Sequence, residues 1–167
     1  MVTLSGGKRN GRLYTAAERL RRDQSPWTLV QGVLAPLQFL VFLVSLALVF
    51  RFLASGEGYS AATISIVIKT LVLYTIMVTG CIWERDVFGC YLFAPAFFWE
   101  DVVSMGVLAL HTAYLAALAW DLLSQTQMML LALAAYAAYA LNAAQFLLKL
   151  RAARLDAADQ QALGGAA

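Results

Sequence analysis

Four carboxylates and seven aromatic rings crowd the nineteen residues from Trp83 to Asp101, WERDVFGCYLFAPAFFWED. Glu84, Asp86, Glu100 and Asp101 can give or take a proton, and the rings among them supply broad apolar surface. A carboxyl group in poorly solvated surroundings holds its proton more tightly than one in water and can act as a general acid near neutral pH. A linker between membrane helices needs neither the acids nor the rings. Their combination points to acid–base chemistry on a flat, apolar substrate at a membrane edge.

Each acid also has a plainer reading. Glu100 and Asp101 suit the first turn of a helix, where the macrodipole favours negative charge, and Glu84-Arg85-Asp86 suits a solvated loop. Trp83, Tyr91 and Trp99 suit the interfacial aromatic belt. Further polar candidates lie inside apolar stretches, where a polar side chain costs free energy and marks a functional hypothesis by default. These are Gln31, Lys69, His111, Asn142 and Gln145. Lys69 could snorkel outward, and Asn142 and Gln145 could serve as interhelical hydrogen-bond glue. His111, the only histidine, could bond across helices, move protons or ligate a metal inside a bound pigment.

The elements that must position these groups are membrane helices. Of 167 residues 62% are hydrophobic and 13% charged, with a mean hydropathy of +0.71, against about 45–50% apolar and about 25% charged in a soluble domain. Four stretches reach the roughly 20 apolar residues that cross a bilayer. The reading is an all-α, four-helix transmembrane bundle with spans at about 27–52, 61–83, 98–120 and 127–150, all within a domain covering 26–151. A basic arm, 1–25, precedes it, disordered over 1–12 and then a short amphipathic helix. Thr15-Ala16-Ala17-Glu18 has the capping-box pattern, and Leu13, Tyr14, Ala17 and Leu20 would face the membrane. Ser25-Pro26 caps the first span, Ser60 the second, and a disordered tail, 152–167, follows the last.

Cations gather at both ends (Lys8, Arg9, Arg12, Arg19, Arg21, Arg22; Lys149, Arg151, Arg154), which by the positive-inside rule puts both termini in the cytoplasm. Such an arm meets anionic lipid and not nucleic acid, and it does not look like a cleavable signal peptide. Gln31, Gln38 and Ser45 recur every seven residues and should turn towards neighbouring helices. Lys69 and His111 each lie nine residues from the outer end of their spans, so antiparallel neighbours would hold them at one depth, roughly 13 Å in. Glu100 and His111 share a helix face but stand about 16 Å apart along it, so only a large ligand could touch both. No internal repeat of the kind common in transporters is visible.

The segments Trp27–Val49 and Ile66–Leu118, above all YLFAPAFFWED at Tyr91–Asp101, resemble the 3-vinyl (or 2-vinyl) bacteriochlorophyllide hydratases of phototrophic bacteria. The likeness covers roughly Leu13 to Leu155. It implies a lyase of bacteriochlorophyll synthesis, in a bacterial inner membrane, that hydrates the ring-A vinyl group of a chlorophyllide to a 1-hydroxyethyl group. It also implies a tetrapyrrole substrate that carries its own magnesium, no separate cofactor, membrane lipid as surroundings, and neighbouring synthesis enzymes or further copies as partners. The alternative is a non-catalytic pigment-binding or photosystem assembly protein with His111 on the pigment magnesium. Under the hydratase reading Glu100 is the acid, and Glu84 or Asp101 activates water. Phe97, Phe98 and Trp99 carry the macrocycle, with Asn142, Gln145, Gln31 and His111 as further contacts.

Overall fold

The computed structural model describes residues 13–164, with side chains as far as Leu155. The expected disorder of 1–12 lies outside the described residues. Five helices follow in order: α1 (Ala16–Gln24), α2 (Pro26–Ser55), α3 (Tyr59–Phe88), α4 (Phe98–Ala119) and α5 (Gln125–Gly164). The last four are long and apolar enough to cross a membrane. At about 1.5 Å per residue the 30-residue α2 and α3 each extend about 45 Å, longer than a hydrocarbon core of about 30 Å. Their ends therefore stand in the headgroup region, and the functional segment continues from one of them.

Local chemistry sets the boundaries. Thr15 and Glu18 form the capping box: the Thr15 amide donates to Glu18 Oε2 (2.8 Å) and the Glu18 amide to Thr15 Oγ1 (3.2 Å). Pro26 opens α2, but the Ser25 hydroxyl makes no cap bond; it donates instead to Asp86 Oδ2 (2.6 Å) and ties the start of α2 to the end of α3. Gly56 and Gly58 are both left-handed (φ 73° and 85°), which turns the chain so sharply that α3 starts at Tyr59 with Gly58, not Ser60, at the cap. Ser124 and Gln127 make an unforeseen reciprocal cap: the Ser124 amide donates to Gln127 Oε1 (2.9 Å) and the Gln127 amide to Ser124 Oγ (3.4 Å). Nor does α5 stop where the tail was expected to fray. The strong helix formers in RAARLDAADQQAL carry it on to Gly164.

Antiparallel α2 packs along α3 and α4 along α5, while α2 crosses α5 and α3 meets α4. The core holds Phe42, Val49, Ile66, Leu73, Val107, Tyr114, Met128, Met129 and Tyr136. Close-packed alanines, among them Ala132 and Ala135, let α5 approach its neighbours. The polar stripe of α2 faces inward: Gln31 Nε2 donates to Thr79 Oγ1 (2.8 Å), and Ser45 Oγ lies 2.7 Å from Ser65 Oγ and 2.5 Å from the Tyr136 hydroxyl. Gln38, 1% exposed, points the same way.

A second, smaller core closes the end of the bundle where α3 passes into α4. Tyr14, Val87, Ala96 and Phe97 are buried there against Leu13, Trp83, Phe88 and Phe146. Tyr14 thus turns into the protein and stacks on Phe88 (5.8 Å between centroids), not out towards lipid as its helical phase suggested, whereas Leu20 remains exposed. Partner rings that this end of the fold supplies from outside α1 reverse the expectation for Tyr14.

Candidate active site

The loop 89–97 is short and folds inward, burying Ala94, Ala96 and Phe97. It begins at Gly89, whose left-handed φ of 84° ends α3, and passes through Phe93 at φ 59°. A bulky residue in that region is an outlier that the surrounding structure must hold in place. Here the turn aims two successive amides at two acids. The Phe93 amide donates to Asp101 Oδ2 (2.7 Å) and the Ala94 amide to Glu84 Oε2 (3.3 Å). Glu84, near the end of α3, and Asp101, in the first turn of α4, are buried and in hydrogen-bonding contact with each other. Two carboxyl groups in such contact can share a proton between them, which an isolated carboxylate cannot do. Of the two, Asp101 accepts the shorter amide bond and Glu84 the longer.

The other two acids of the segment are otherwise engaged. Glu100 Oε2 lies 2.5 Å from Lys149 Nζ on α5, so its charge is already matched. Asp86 is exposed and receives Ser25. The structure therefore joins Glu84 to Asp101 and sets Glu100, expected as the acid, into an ion pair between α4 and α5. The signal for this was Lys149, which the sequence offered only as a flanking basic residue.

The aromatic residues divide in the same way. Phe97 is 2% exposed, wedged among Trp83, Phe88, Tyr14 and Phe146, where it supports the loop from beneath. Phe98 and Trp99 lie at the surface, 43% and 69% exposed. Phe93 continues their surface, with ring centroids 5.7 Å from Phe98, which in turn is 5.4 Å from Trp99. Sequence reading missed Phe93 because its backbone geometry, not its side-chain type, brings it there.

Asn142 is interhelical glue: its Nδ2 donates to the Glu100 carbonyl (2.9 Å) and its Oδ1 accepts from Ser104 Oγ (3.2 Å). Gln145, on the α5 face between Asn142 and Lys149, has a buried Oε1 with no protein partner among the described residues. Gln31 is spent on α3. Lys69 and His111 meet, as their matched depths required: Lys69 Nζ lies 2.8 Å from His111 Nε2, and His111 Nδ1 donates to the Val107 carbonyl (2.8 Å). That bond fixes the tautomer, so Nε2 accepts from Lys69. The Lys69 side chain does not snorkel; its Nζ lies over the Tyr139 ring at 4.1 Å. With both ring nitrogens engaged and no exposed surface, His111 cannot reach the metal of a pigment at the helix ends.

Residues 14–152 match the family described as 2-vinyl bacteriochlorophyllide hydratase (BCHF). The chain belongs to the 2-vinyl bacteriochlorophyllide hydratase family. Two relatives carry that name. The protein of Rhodobacter capsulatus is 70% identical over 150 residues, covering 90% of this chain and 87% of its own. The protein of Cereibacter sphaeroides is 69% identical over 145 residues, covering 87% and 90%. No solved structure matches. The hydratase family match takes in α1 from its cap, α2, α3, α4, the loop that holds the carboxyl pair and α5 as far as residue 152.

Proposed function

We propose that this protein hydrates the vinyl group of a chlorophyllide-type macrocycle, with Glu84 as general acid and Asp101 as the base that orients water. The single observation that carries the assignment of roles is the contact between these two buried carboxyl groups under the Phe93 and Ala94 amides. The macrocycle rests on the exposed rings of Phe93, Phe98 and Trp99, which adjoin one another beside the loop whose Phe93 amide holds Asp101.

The chemistry follows from the alkene. Glu84 gives its proton to the terminal vinyl carbon, forming a methyl group and leaving a cation on the inner carbon, delocalised into the macrocycle. Both carboxylates then stabilise that cation through space in a water-poor site. Water adds to the inner carbon and loses its proton to Asp101. The proton returns to Glu84 across the contact between them, so one turnover restores the starting state. Water itself is the only co-reactant, and the reaction is redox-neutral and needs no cofactor beyond the substrate with its own magnesium. The unpartnered Oε1 of Gln145 offers an acceptor for an ordered water on the α5 side.

The multi-pass fold sits in the bacterial inner membrane with its site at the cytoplasmic face. Arg19, Arg21, Arg22, Lys149, Arg151 and Arg154 all lie at the bundle ends from which α1 and the α5 extension emerge. Incubation of membranes with vinyl chlorophyllide in ¹⁸O-labelled water tests the reading. Labelled hydroxyethyl product is expected; pigment that binds and returns unchanged would contradict it.

A further inference from the structure

We propose that Arg85, braced by Tyr91, binds the free propionate carboxylate of the macrocycle and so selects the free acid over its esters. The inference rests on the hydratase reading and adds to it a determinant of substrate class.

Arg85 follows Glu84 in the last turn of α3, and Tyr91 lies in the loop whose next residues hold the carboxyl pair. The guanidinium Nη1 donates to the Tyr91 hydroxyl, and its carbon stands 4.7 Å from the centre of the Tyr91 ring. Both side chains are exposed at the membrane edge. Among the described residues Arg85 has no carboxylate partner. Two other basic side chains at this end are committed: Lys149 to Glu100 (2.5 Å) and Arg22 to Asp23 (2.6 Å). An arginine already fixed against a ring loses little further freedom on meeting an anion, and its remaining N–H groups suit a bidentate carboxylate.

A chlorophyllide, unlike the finished pigment, keeps a free propionate, and it stands on the pyrrole ring next to the one that bears the vinyl group. With the vinyl carbon at the Glu84–Asp101 pair and the ring plane on Phe93, Phe98 and Trp99, that anion needs a cation on the flank of the same loop. Arg85, next to Glu84 in the chain and held against Tyr91 of that loop, is placed there. Esterification removes the charge and with it this contact.

The test uses the full chain in nanodiscs of neutral lipid, with vinyl chlorophyllide and its methyl ester as probes. Binding is followed by pigment fluorescence and turnover by initial rate. Arg85→Gln should raise Kd and KM for the free acid about tenfold, the loss of one charge-assisted contact, with kcat unchanged. The ester should bind Arg85→Gln and the unaltered protein alike. Arg85→Lys should recover part of the acid preference, because it restores charge without the fork. Equal losses for acid and ester, or none for either, would overturn the proposal. So would an acid preference in these neutral nanodiscs that survives Arg85→Gln unchanged, which would place the carboxylate contact elsewhere. Failure of the hydratase reading looks different: the unaltered protein would turn over neither probe, while the acid-over-ester difference in Kd would still report on Arg85.

Discussion

Replacing Glu84 by glutamine separates the two carboxyl assignments that the segment allows. Glutamine keeps the length of the side chain; its oxygen can still accept from the Ala94 amide and its nitrogen can donate to Asp101, so the loop geometry is retained. What disappears is the transferable proton. General acid catalysis contributes about 10²–10⁴-fold, so kcat should fall by that factor, about 2.7–5.4 kcal/mol of transition-state stabilisation. KM should change little, because the aromatic resting surface is untouched. Glu100→Gln is the counterpart. It breaks the ion pair with Lys149, but Lys149 is 28% exposed and can turn to water, so activity should stay within about fivefold of the unaltered protein. The assay is the initial rate of hydroxyethyl product formation per mole of folded protein, with folding checked by size-exclusion chromatography and circular dichroism. The reasoning is refuted if Glu84→Gln keeps more than about a tenth of kcat, or if Glu100→Gln loses as much as Glu84→Gln.

Three other outcomes follow from the geometry. Lys69→Met and His111→Leu each strand a buried polar partner in mid-bundle and should each cost about 1–2 kcal/mol. The double variant should cost less than their sum in detergent unfolding; strict additivity would show that the two side chains are uncoupled. Phe93→Gly relieves a left-handed backbone worth about 1–2 kcal/mol but removes one ring of the surface, so the melting temperature should hold or rise while pigment binding weakens. Binding that stays intact would take Phe93 out of the macrocycle's resting surface. Thr15→Ala removes half of the capping box and should loosen α1 by about 0.5–2 kcal/mol, seen as faster amide exchange over 16–24 with the long helices unaffected.

The long apolar runs made the four spans legible, because spanning a bilayer admits few alternatives to a helix of about 20 residues. Depth counting also worked: Lys69 and His111 meet because rise per residue converts directly into height along antiparallel helices. What counting does not give is rotation. Which acid faces which depends on the phase of α3 against α4 and on the path of loop 89–97, and both are set by tertiary packing around Phe97. Glu100 and Asp101 are neighbours in sequence yet point about 100° apart. One meets Lys149 of α5 and the other meets Glu84 of α3. Tyr14 shows the same limit, since its partners Phe88 and Phe97 come from elements distant in sequence.

The central claim is that Glu84 and Asp101 share one proton and that Glu84 holds it. Infrared spectroscopy of the purified protein at neutral pH, in a detergent free of ester groups, reads this directly through the carbonyl stretch of a protonated carboxylic acid. The account predicts such a band in the unaltered protein and in Glu100→Gln, and its loss in Glu84→Gln. Absence of the band from the unaltered protein, or a band that survives Glu84→Gln and vanishes in Glu100→Gln, would contradict it.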